Sequence, residues 1–577
     1  MQPRAEPDLR RAGRPAPLRR GGAQLPLGAF ALAAGTLVGW VWWMGRGFGI
    51  FSDEWNIAIL ANRGDLLQPF NGHLSLVPQA VYLALTRSVG LGHYGPYRAI
   101  GLVAYVALAA AAGWHAARRA TPAIGALVGI TLLWSAAAKL TLLFPLLINF
   151  TVPAACGCGI WLALDHTRDP GRPGPAALVV GPLLLAVALA SSAVGVVVAV
   201  AVAVELVWRW SRRDLGLATV AAHAVPVAVW LAWWIGFHTT TAQPGGAGSL
   251  LHFAGTEVLA SFAALCAGWT PGGWALLVAF VALVAASVTR WHTFGPRAAS
   301  TLTAFVSFVA LTAIGREGIG ASGVPLPRIA PATDRYLFLN SVFLLSAAAA
   351  MAGPIWAGRE TSGARRRRTG RPAPLAAGAG LVVVFVLLVA NGWHLVDDVR
   401  TYRHDQLAYQ AASRTATLGV RLAGDRARRS RVVPINFVPV TTGGYLDLIR
   451  RVGAPPLPHD TSNLGLPADR RRADQSLIAD LGIRLRAAGA CPMGSSASTS
   501  TVEATVTVPP GTTLVVHAGA GKAAVTLRRL AGAGAASPIG TVPAGATATL
   551  ALPAGPGADL RWAAHAEGAG ATITRCG

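Results

Sequence analysis

Two adjacent carboxylates, Asp53 and Glu54, follow the first long apolar run of the chain, in the stretch Phe51-Ser52-Asp53-Glu54-Trp55-Asn56. A positioned carboxylate can act as a general base, and it can also hold a metal ion. Neighbouring residues point in different directions on a helix or a strand, so we expect only one of the two to face a substrate. A helix N-cap is the structural alternative for Asp53. Carboxylates beside lipid are costly without a partner, which favours a functional role.

Three basic residues could bind a negatively charged group and stabilise charge that develops on it. Lys139 lies at the outer end of a predicted membrane helix, and Arg316 and Arg335 flank a predicted outer loop. Each has a structural alternative. Lys139 could extend toward the membrane interface, Arg335 could pair with Asp334, and Arg316 has an acidic neighbour in the sequence.

Membrane helices are the elements that must position these residues. Of the 577 residues, 53% are hydrophobic and 13% are charged, which is too little charge for a soluble protein of this size. Repeated apolar runs of about 17–22 residues match the thickness of a hydrocarbon core. The net charge of +24 comes mostly from arginines in short clusters between these runs, as topology signals do, and it does not indicate a nucleic-acid partner. Arginine in place of lysine is typical of a GC-rich genome, such as that of an actinobacterium.

The apolar runs and arginine clusters predict eleven membrane-spanning helices and a cytoplasmic N-terminus. Residues 1–24 form a basic cytoplasmic tail, and residues 25–394 form the membrane domain. The predicted spans are Leu25–Met44, Tyr97–Ala117, Ala123–Ala138, a fourth helix that reaches Asp165, a hairpin over Ala176–Trp208 that turns at Ser191-Ser192, Leu215–Phe237, Trp274–Val288, Ser300–Ile314, Tyr336–Trp356 and Leu375–Trp393.

An outer loop over residues 46–96 contains the acidic pair. Two shorter amphiphilic pieces, Glu54–Asn62 and His73–Val89, are predicted to lie flat at the outer interface. If the second piece crossed the membrane, Arg118 and Arg119 would lie outside, against the positive-inside rule. The sequence therefore predicts that Asp53 and Glu54 are extracytoplasmic.

The region after His394 contains no further apolar span, so we predict that it is extracytoplasmic. Residues 395–490 read as a mixed helical domain, and residues 491–577 as a β-rich module. Short alternating runs, such as Val502–Val508, separated by Pro-Gly turns are typical of a β-sandwich. Cys491 and Cys576 bracket this module, and an extracytoplasmic location permits a disulfide between them. The other three cysteines are expected to be packing residues. The predicted fold class is thus mainly α: a polytopic bundle with a C-terminal α+β domain.

This organisation resembles the GT-C fold glycosyltransferases, which take sugars from polyprenyl-phosphate donors, and in particular membrane proteins of this class from actinobacteria. The resemblance covers roughly residues 25–395. The residues that carry it are Phe51–Trp55, Asn71-Gly72-His73-Leu74-Ser75-Leu76-Val77-Pro78, Gly95-Pro96-Tyr97 and Asp334-Arg335-Tyr336. It implies that the first-loop carboxylate, here Asp53 with Glu54 as the alternative, is the general base.

The resemblance also implies a substrate site on the outer face. Its candidate residues are Trp55, His73, Lys139, Arg316, Arg335 and Tyr336. His73 could ligate a metal or hydrogen-bond a sugar, although an isolated histidine is more often structural. Some members of the class use a divalent metal ion, and no residue spacing here specifies one.

We therefore predict an inverting hexosyl- or pentosyltransferase on the outer face of the cell membrane. Its donor would be a polyprenyl-phosphate sugar, and its acceptor a cell-envelope glycan, glycolipid or protein. Two alternatives stay open: a transporter or flippase of lipid-linked envelope precursors, and a non-catalytic assembly protein with a GT-C-like scaffold.

Overall fold

The computed structural model of the chain describes residues 20–165, 174–237, 247–289, 292–317, 333–361, 373–433, 440–455, 464–487, 505–532, 535–557 and 559–576. The chain divides into two compact units. The first comprises Met1–Arg46, Leu66–Val81 and Gly95–Thr401. The second comprises Gly47–Asp65, Tyr82–Tyr94 and Tyr402–Gly577.

The first unit is helical. Among the described residues, ten helices are long and apolar enough to cross a membrane, or up to eleven if a bent pair counts as one span. The chain is therefore a multi-pass membrane protein, as predicted. The helices that lie wholly or partly in this unit are α1 (Arg20–Met44), α3 (Leu76–Ser88), α4 (Gly95–Arg119), α5 (Pro122–Leu133), α6 (Lys139–Leu143), α7 (Ile148–Leu164), α8 (Gly181–Leu189), α9 (Val194–Ser211), α10 (Leu217–Phe237), α11 (Ala247–Leu265), α12 (Thr270–Thr289), α13 (Pro296–Glu317), α14 (Asp334–Thr361) and α15 (Ala373–Ala423).

Helix α11 was not predicted, and this is the main correction to the sequence-based topology. It is the least apolar of the ten candidate spans, because Glu257 and several hydroxyl residues interrupt its hydrophobic run. The predicted hairpin does turn at Ser191-Ser192, but its first arm is a short apolar helix over Ala176–Leu189. The last predicted span and the helical pattern that follows it form one continuous helix, α15.

The predicted third span is broken. Helix α5 ends at Leu133, and a second helical piece over Ala136–Leu143 leaves it at an angle of 55°. The freed backbone groups have partners: the Tyr105 hydroxyl donates to the carbonyl of Leu133 at 3.1 Å, and the Ala136 amide donates to Asn391 at 3.4 Å. Such partners allow a helix break inside a membrane bundle, where water cannot satisfy the backbone.

One end of the first unit carries a buried network of ion pairs. The Arg297 guanidinium donates to both oxygens of Glu205 at 2.8 Å, and to Asp165 at 3.1 Å. Arg209 contacts Glu205 at 2.6 Å, and Arg119 also pairs with Asp165. The three arginines come from the last turn of α4, the last turn of α9 and the first turn of α13, so the structure brings these three helix ends together.

The second unit contains α2 (Asp53–Arg63), α16 (Thr442–Val452), α17 (Pro467–Leu481) and the β-strands. Two four-stranded antiparallel sheets have the orders β10-β5-β8-β3 and β4-β9-β6-β7, and a small third sheet pairs β1 with β2. Burial alternates along β5, β6 and β9, so each large sheet buries one face, and the predicted C-terminal β module is confirmed. The strands are β1 (Val432–Val433), β2 (Val440–Thr441), β3 (Arg486–Ala487), β4 (Thr505–Val508), β5 (Thr513–His517), β6 (Ala523–Arg528), β7 (Ser537–Val542), β8 (Thr547–Ala551), β9 (Trp562–Glu567) and β10 (Thr572–Cys576).

The cysteines divide into two groups. Cys156, Cys158 and Cys266 are free and buried, which fits the packing role expected for them. Cys576, at the end of β10, is disulfide-bonded. Its predicted partner, Cys491, lies outside the described residues.

Candidate functional site

The acidic pair opens helix α2. Ser52 is the N-cap residue and has a φ of 51°, a left-handed conformation that is uncommon for serine. Asp53 and Glu54 lie in the first turn, so Asp53 is not the cap. Negative charge is favourable at this position, because the helix N-terminus carries a partial positive charge.

Glu54 is fully buried and is held by three hydrogen-bond donors. The Tyr82 hydroxyl donates to Oε1. The Tyr94 hydroxyl donates to Oε2 at 2.7 Å, and the Phe51 amide donates to the same oxygen at 3.1 Å. Tyr82 comes from α3 and Tyr94 from the segment before α4, so the carboxyl group connects three parts of the outer loop.

Burial raises the pKa of Glu54 to about 8. The two tyrosine hydroxyls and the Phe51 amide oppose this rise, because they stabilise the carboxylate, whereas the nearby charge of Asp53 adds to it. At neutral pH the neutral acid therefore dominates at Glu54.

Asp53 and Glu54 differ sharply in accessibility. Glu54 has no exposed surface, and both of its oxygens are already engaged, whereas Asp53 is only half-buried. A general base must come within hydrogen-bond reach of the proton that it abstracts. By this criterion Asp53 fits the role of base better, and Glu54 is suited to hold the start of α2 in place.

Trp55 is also buried, and it packs edge-on against Tyr445 of α16 with ring centroids 5.5 Å apart. Further along α2, Asn62 donates to the hydroxyl of Thr86 in α3 at 2.9 Å. These contacts fix α2 within the second unit. They describe a packing role for Trp55, which the sequence placed among the substrate-binding candidates.

Lys139 has two acidic partners in the first unit. Its ammonium group lies 3.2 Å from Asp334 and 3.3 Å from Asp398. Asp334 therefore pairs with Lys139, whereas the sequence had offered it as a partner for Arg335. Because two carboxylates already offset its charge, Lys139 is a weaker candidate for binding phosphate than the sequence indicated.

Arg316 and Arg335 gather around Tyr336 at the start of α14. Their guanidinium carbons lie 5.5 Å and 5.1 Å from the centre of the Tyr336 ring. Tyr336 is fully buried and both arginines are half-buried. Neither arginine forms an ion pair with any described residue. The structure thus brings three predicted substrate residues together as a cationic cluster.

His73 closes a tight turn. The backbones of Phe70 and His73 exchange hydrogen bonds of 2.9 and 3.0 Å, and Asn71 and Gly72 between them have φ values of 50° and 77°. Asn-Gly at these positions is the preferred sequence of such a turn. The turn therefore gives a structural reason for the Asn71-Gly72-His73 sequence, and the His73 side chain is exposed.

No group of three or more His, Cys, Asp or Glu side chains that could hold a metal occurs within the described part of the chain. At the acidic pair, Glu54 is fully buried and both of its oxygens accept hydrogen bonds, so it is not available to a metal ion. This donor set does not fit a divalent ion, so we derive no step through one.

Sequence reasoning missed Tyr82 and Tyr94, and it also missed Glu257 in α11. The tyrosines lie 28 and 40 residues from Glu54, and no local spacing links them to it. Glu257 could be recognised from the sequence, because it is an acidic residue within a largely apolar stretch. The predicted spans Leu215–Phe237 and Trp274–Val288 leave this stretch outside the membrane helices.

Comparisons with known proteins place few constraints on the chain. No family model matches it, and no curated protein matches it. Among solved structures, it is similar to ArnT from Cupriavidus metallidurans bound to undecaprenyl phosphate, with 14% identity, 72% of this chain and 84% of that chain covered, and a TM-score of 0.44. The apo state of the same protein gives 15% identity, the same coverage and a TM-score of 0.43. Because both TM-scores lie below 0.5, neither likeness supports a conclusion about this chain, and no family membership is assigned.

Proposed function

We propose that the chain is a membrane glycosyltransferase that transfers a sugar from a polyprenyl-phosphate donor to a cell-envelope acceptor, with Asp53 as the general base. The observation that carries the proposal is the division within the acidic pair. One carboxylate is accessible, and its neighbour is buried and held by three donors. General bases are commonly positioned in this way by a fixed neighbouring group.

The reaction is a single displacement at the anomeric carbon. Asp53 takes the proton of the acceptor hydroxyl as its oxygen attacks, and the bond from the sugar to the phosphate oxygen breaks. The phosphate departs with the bonding electrons, so negative charge grows on it. A single displacement inverts the anomeric configuration, and a positioned base contributes about 10²–10⁴-fold to its rate.

Arg316 and Arg335 are the residues that we assign to the phosphate. Both are arginines without an acidic partner among the described residues, and Tyr336 orders their guanidinium groups. Arginine suits this role because its planar fork binds phosphate oxygens in pairs. Glu54 is assigned a positioning role, since its oxygens are occupied by the tyrosines and the Phe51 amide.

The first prediction compares Asp53→Asn with Glu54→Gln in membranes supplied with radiolabelled polyprenyl-phosphate sugars. Asp53→Asn should lower transfer by about 10²–10⁴-fold, because the amide cannot accept the proton. Glu54→Gln should retain transfer to within about threefold at pH 7, because an amide mimics the neutral carboxyl. Asp65→Asn is the matched control, since Asp65 is an exposed carboxylate of the same loop.

Two outcomes would contradict these assignments. If Glu54→Gln loses as much transfer as Asp53→Asn, then Glu54 is the base. If both variants keep full transfer, the base lies elsewhere.

A transporter of lipid-linked precursors is the second candidate function, and Glu257 is the observation that favours it. This carboxyl is buried in the middle of a candidate membrane span, a placement typical of transport sites. Reconstituted protein that moves lipid-linked sugar across liposomes without transferring it would establish this alternative in place of the transferase.

A further inference from the structure

Glu257 lies at the middle of α11 and is fully buried. Its neighbours are neutral. The Asn340 amide donates to Oε1 at 2.9 Å, and the Thr312 hydroxyl donates to Oε2 at 2.5 Å. Among the described residues, no lysine, arginine or histidine pairs with it. Within a membrane bundle, an ionised carboxyl without a compensating charge is strongly unfavourable, so this group needs either a proton or a bound cation to neutralise it.

Most of the polar side-chain atoms around this carboxyl are oxygens. Besides the two carboxylate oxygens, the cluster contains the hydroxyls of Thr312 and of Ser261, which lies one helical turn along α11. The Asn340 amide nitrogen joins them, 2.9 Å from both Glu257 and the Ser261 hydroxyl. Oxygen donors are the preferred ligands of hard cations.

Asn340 supplies a second, independent observation. Its amide oxygen is fully buried and has no hydrogen-bond partner among the described residues. The nitrogen and oxygen of an amide exchange places by a half-turn of the group, and their assignment follows from the hydrogen-bond network. After that half-turn the oxygen faces Glu257 and Ser261, an arrangement that would be repulsive without a positive ion between them.

Thr312 can adapt in the same way. Its one hydroxyl hydrogen has two alternative acceptors, the backbone carbonyls of Phe308 at 3.0 Å and Val309 at 2.9 Å. When the hydrogen points to either carbonyl, the lone pairs of the hydroxyl are free to face a cation. The Ser261 hydroxyl donates its hydrogen to the backbone carbonyl of Glu257 at 2.7 Å, so the lone pairs of the Ser261 oxygen are available as well.

We propose that Glu257, Ser261, Thr312 and Asn340 form an intramembrane binding site for a monovalent cation of the Na⁺ type. The charge balance selects the ion. One carboxylate with neutral oxygens neutralises a single positive charge, whereas a divalent ion would leave an excess charge in the membrane interior. The cation joins α11, α13 and α14, and this site goes beyond the proposed glycosyl transfer.

The test measures binding of ²²Na⁺ and the melting temperature of the purified full-length protein in nanodiscs. NaCl is titrated against choline chloride at constant ionic strength. We expect one saturable Na⁺ site per chain and a melting temperature that rises with Na⁺, because a ligand that binds the folded state stabilises it.

Two variants and a control locate the site. Glu257→Gln should weaken Na⁺ binding by about tenfold or more, and Thr312→Val by about threefold to tenfold. Thr256→Val is the matched control, since Thr256 is a half-buried residue of α11 whose hydroxyl donates to the backbone of its own helix at His252, and it should leave binding unchanged. If Glu257→Gln fails to fold, Thr312→Val carries the test.

Several results would overturn the proposal. A wild-type melting temperature that follows pH but not Na⁺ would identify a proton as the neutralising ion. Equal stabilisation of the wild type and of Thr312→Val by Na⁺ would show a general salt effect. None of these measurements uses sugar transfer, so their outcome is independent of the proposed transferase activity.

Discussion

Glu54 and Glu205 are both fully buried glutamates, but their surroundings are chemically opposite. Glu205 is neutralised by two arginines, at 2.6 and 2.8 Å. Glu54 has only hydroxyl and amide donors, which stabilise a carboxylate without cancelling its charge. The first arrangement keeps a fixed charge and ties helices together. The second arrangement allows Glu54 to gain or lose its proton near neutral pH. Groups that titrate in this range are common at catalytic sites.

The largest expected difference concerns stability after the same substitution at both positions. Glu205→Gln should destabilise the fold by about 3–5 kcal/mol, because among the described residues it leaves three arginines of the network with Asp165 alone to offset their charge. Glu54→Gln should cost far less, because glutamine resembles the neutral acid that already dominates there. Denaturant unfolding of the purified protein in detergent measures both. Equal stability of the two variants would contradict the distinction between Glu205 as a permanently charged carboxylate and Glu54 as a titratable one.

The pH dependence of stability sharpens the comparison. Glu54 has a pKa of about 8 in the folded protein against 4.5 ordinarily, so the folded state binds more protons between those values. The free energy of unfolding should therefore fall as pH rises from about 4.5 to about 8. We expect the wild-type melting temperature to drop by on the order of a few degrees over this window. In Glu54→Gln this component should be absent.

A wild-type protein whose melting temperature shows the same pH profile as Glu54→Gln would mean that Glu54 is ionised throughout the window. The difference between the wild-type and Glu54→Gln profiles isolates the contribution of Glu54. This is needed because burial also raises the pKa of Asp474 in the second unit. That carboxyl contributes equally to both profiles.

The smallest predicted effect concerns the tyrosines. Tyr94→Phe and Tyr82→Phe should each lower stability by about 1 kcal/mol, as expected for one buried hydrogen bond. Each hydroxyl also lowers the pKa of Glu54, so its removal should move the pH-dependent fall in melting temperature to higher pH. Tyr402→Phe is a suitable control, because Tyr402 interacts with Glu54 electrostatically and no hydrogen bond joins the two among the described residues. A loss of stability with no change in the pH profile would indicate packing alone.

Much of the architecture was predictable because membrane insertion depends on local hydropathy. The spans α1, α4, α10 and α14 begin or end within a few residues of their predicted bounds, since long apolar runs are contiguous in the sequence. The missed helix α11 fails this rule for a physical reason. Its polar residues are acceptable only because α13 and α14 supply partners for Glu257, and those partners lie 55 and 83 residues away.

The sequence by itself determined that this is a multi-pass membrane protein with a β-rich C-terminal region, because hydropathy and alternation are local properties. It also singled out Asp53 and Glu54 as unusual charges, although it could not separate their roles. Only the tertiary structure decided that Glu54 is buried against Tyr82 and Tyr94 and that Lys139 is neutralised by Asp334 and Asp398. A carboxyl's burial and partners depend on chain segments that meet only after folding, and those contacts set its protonation and its chemical role.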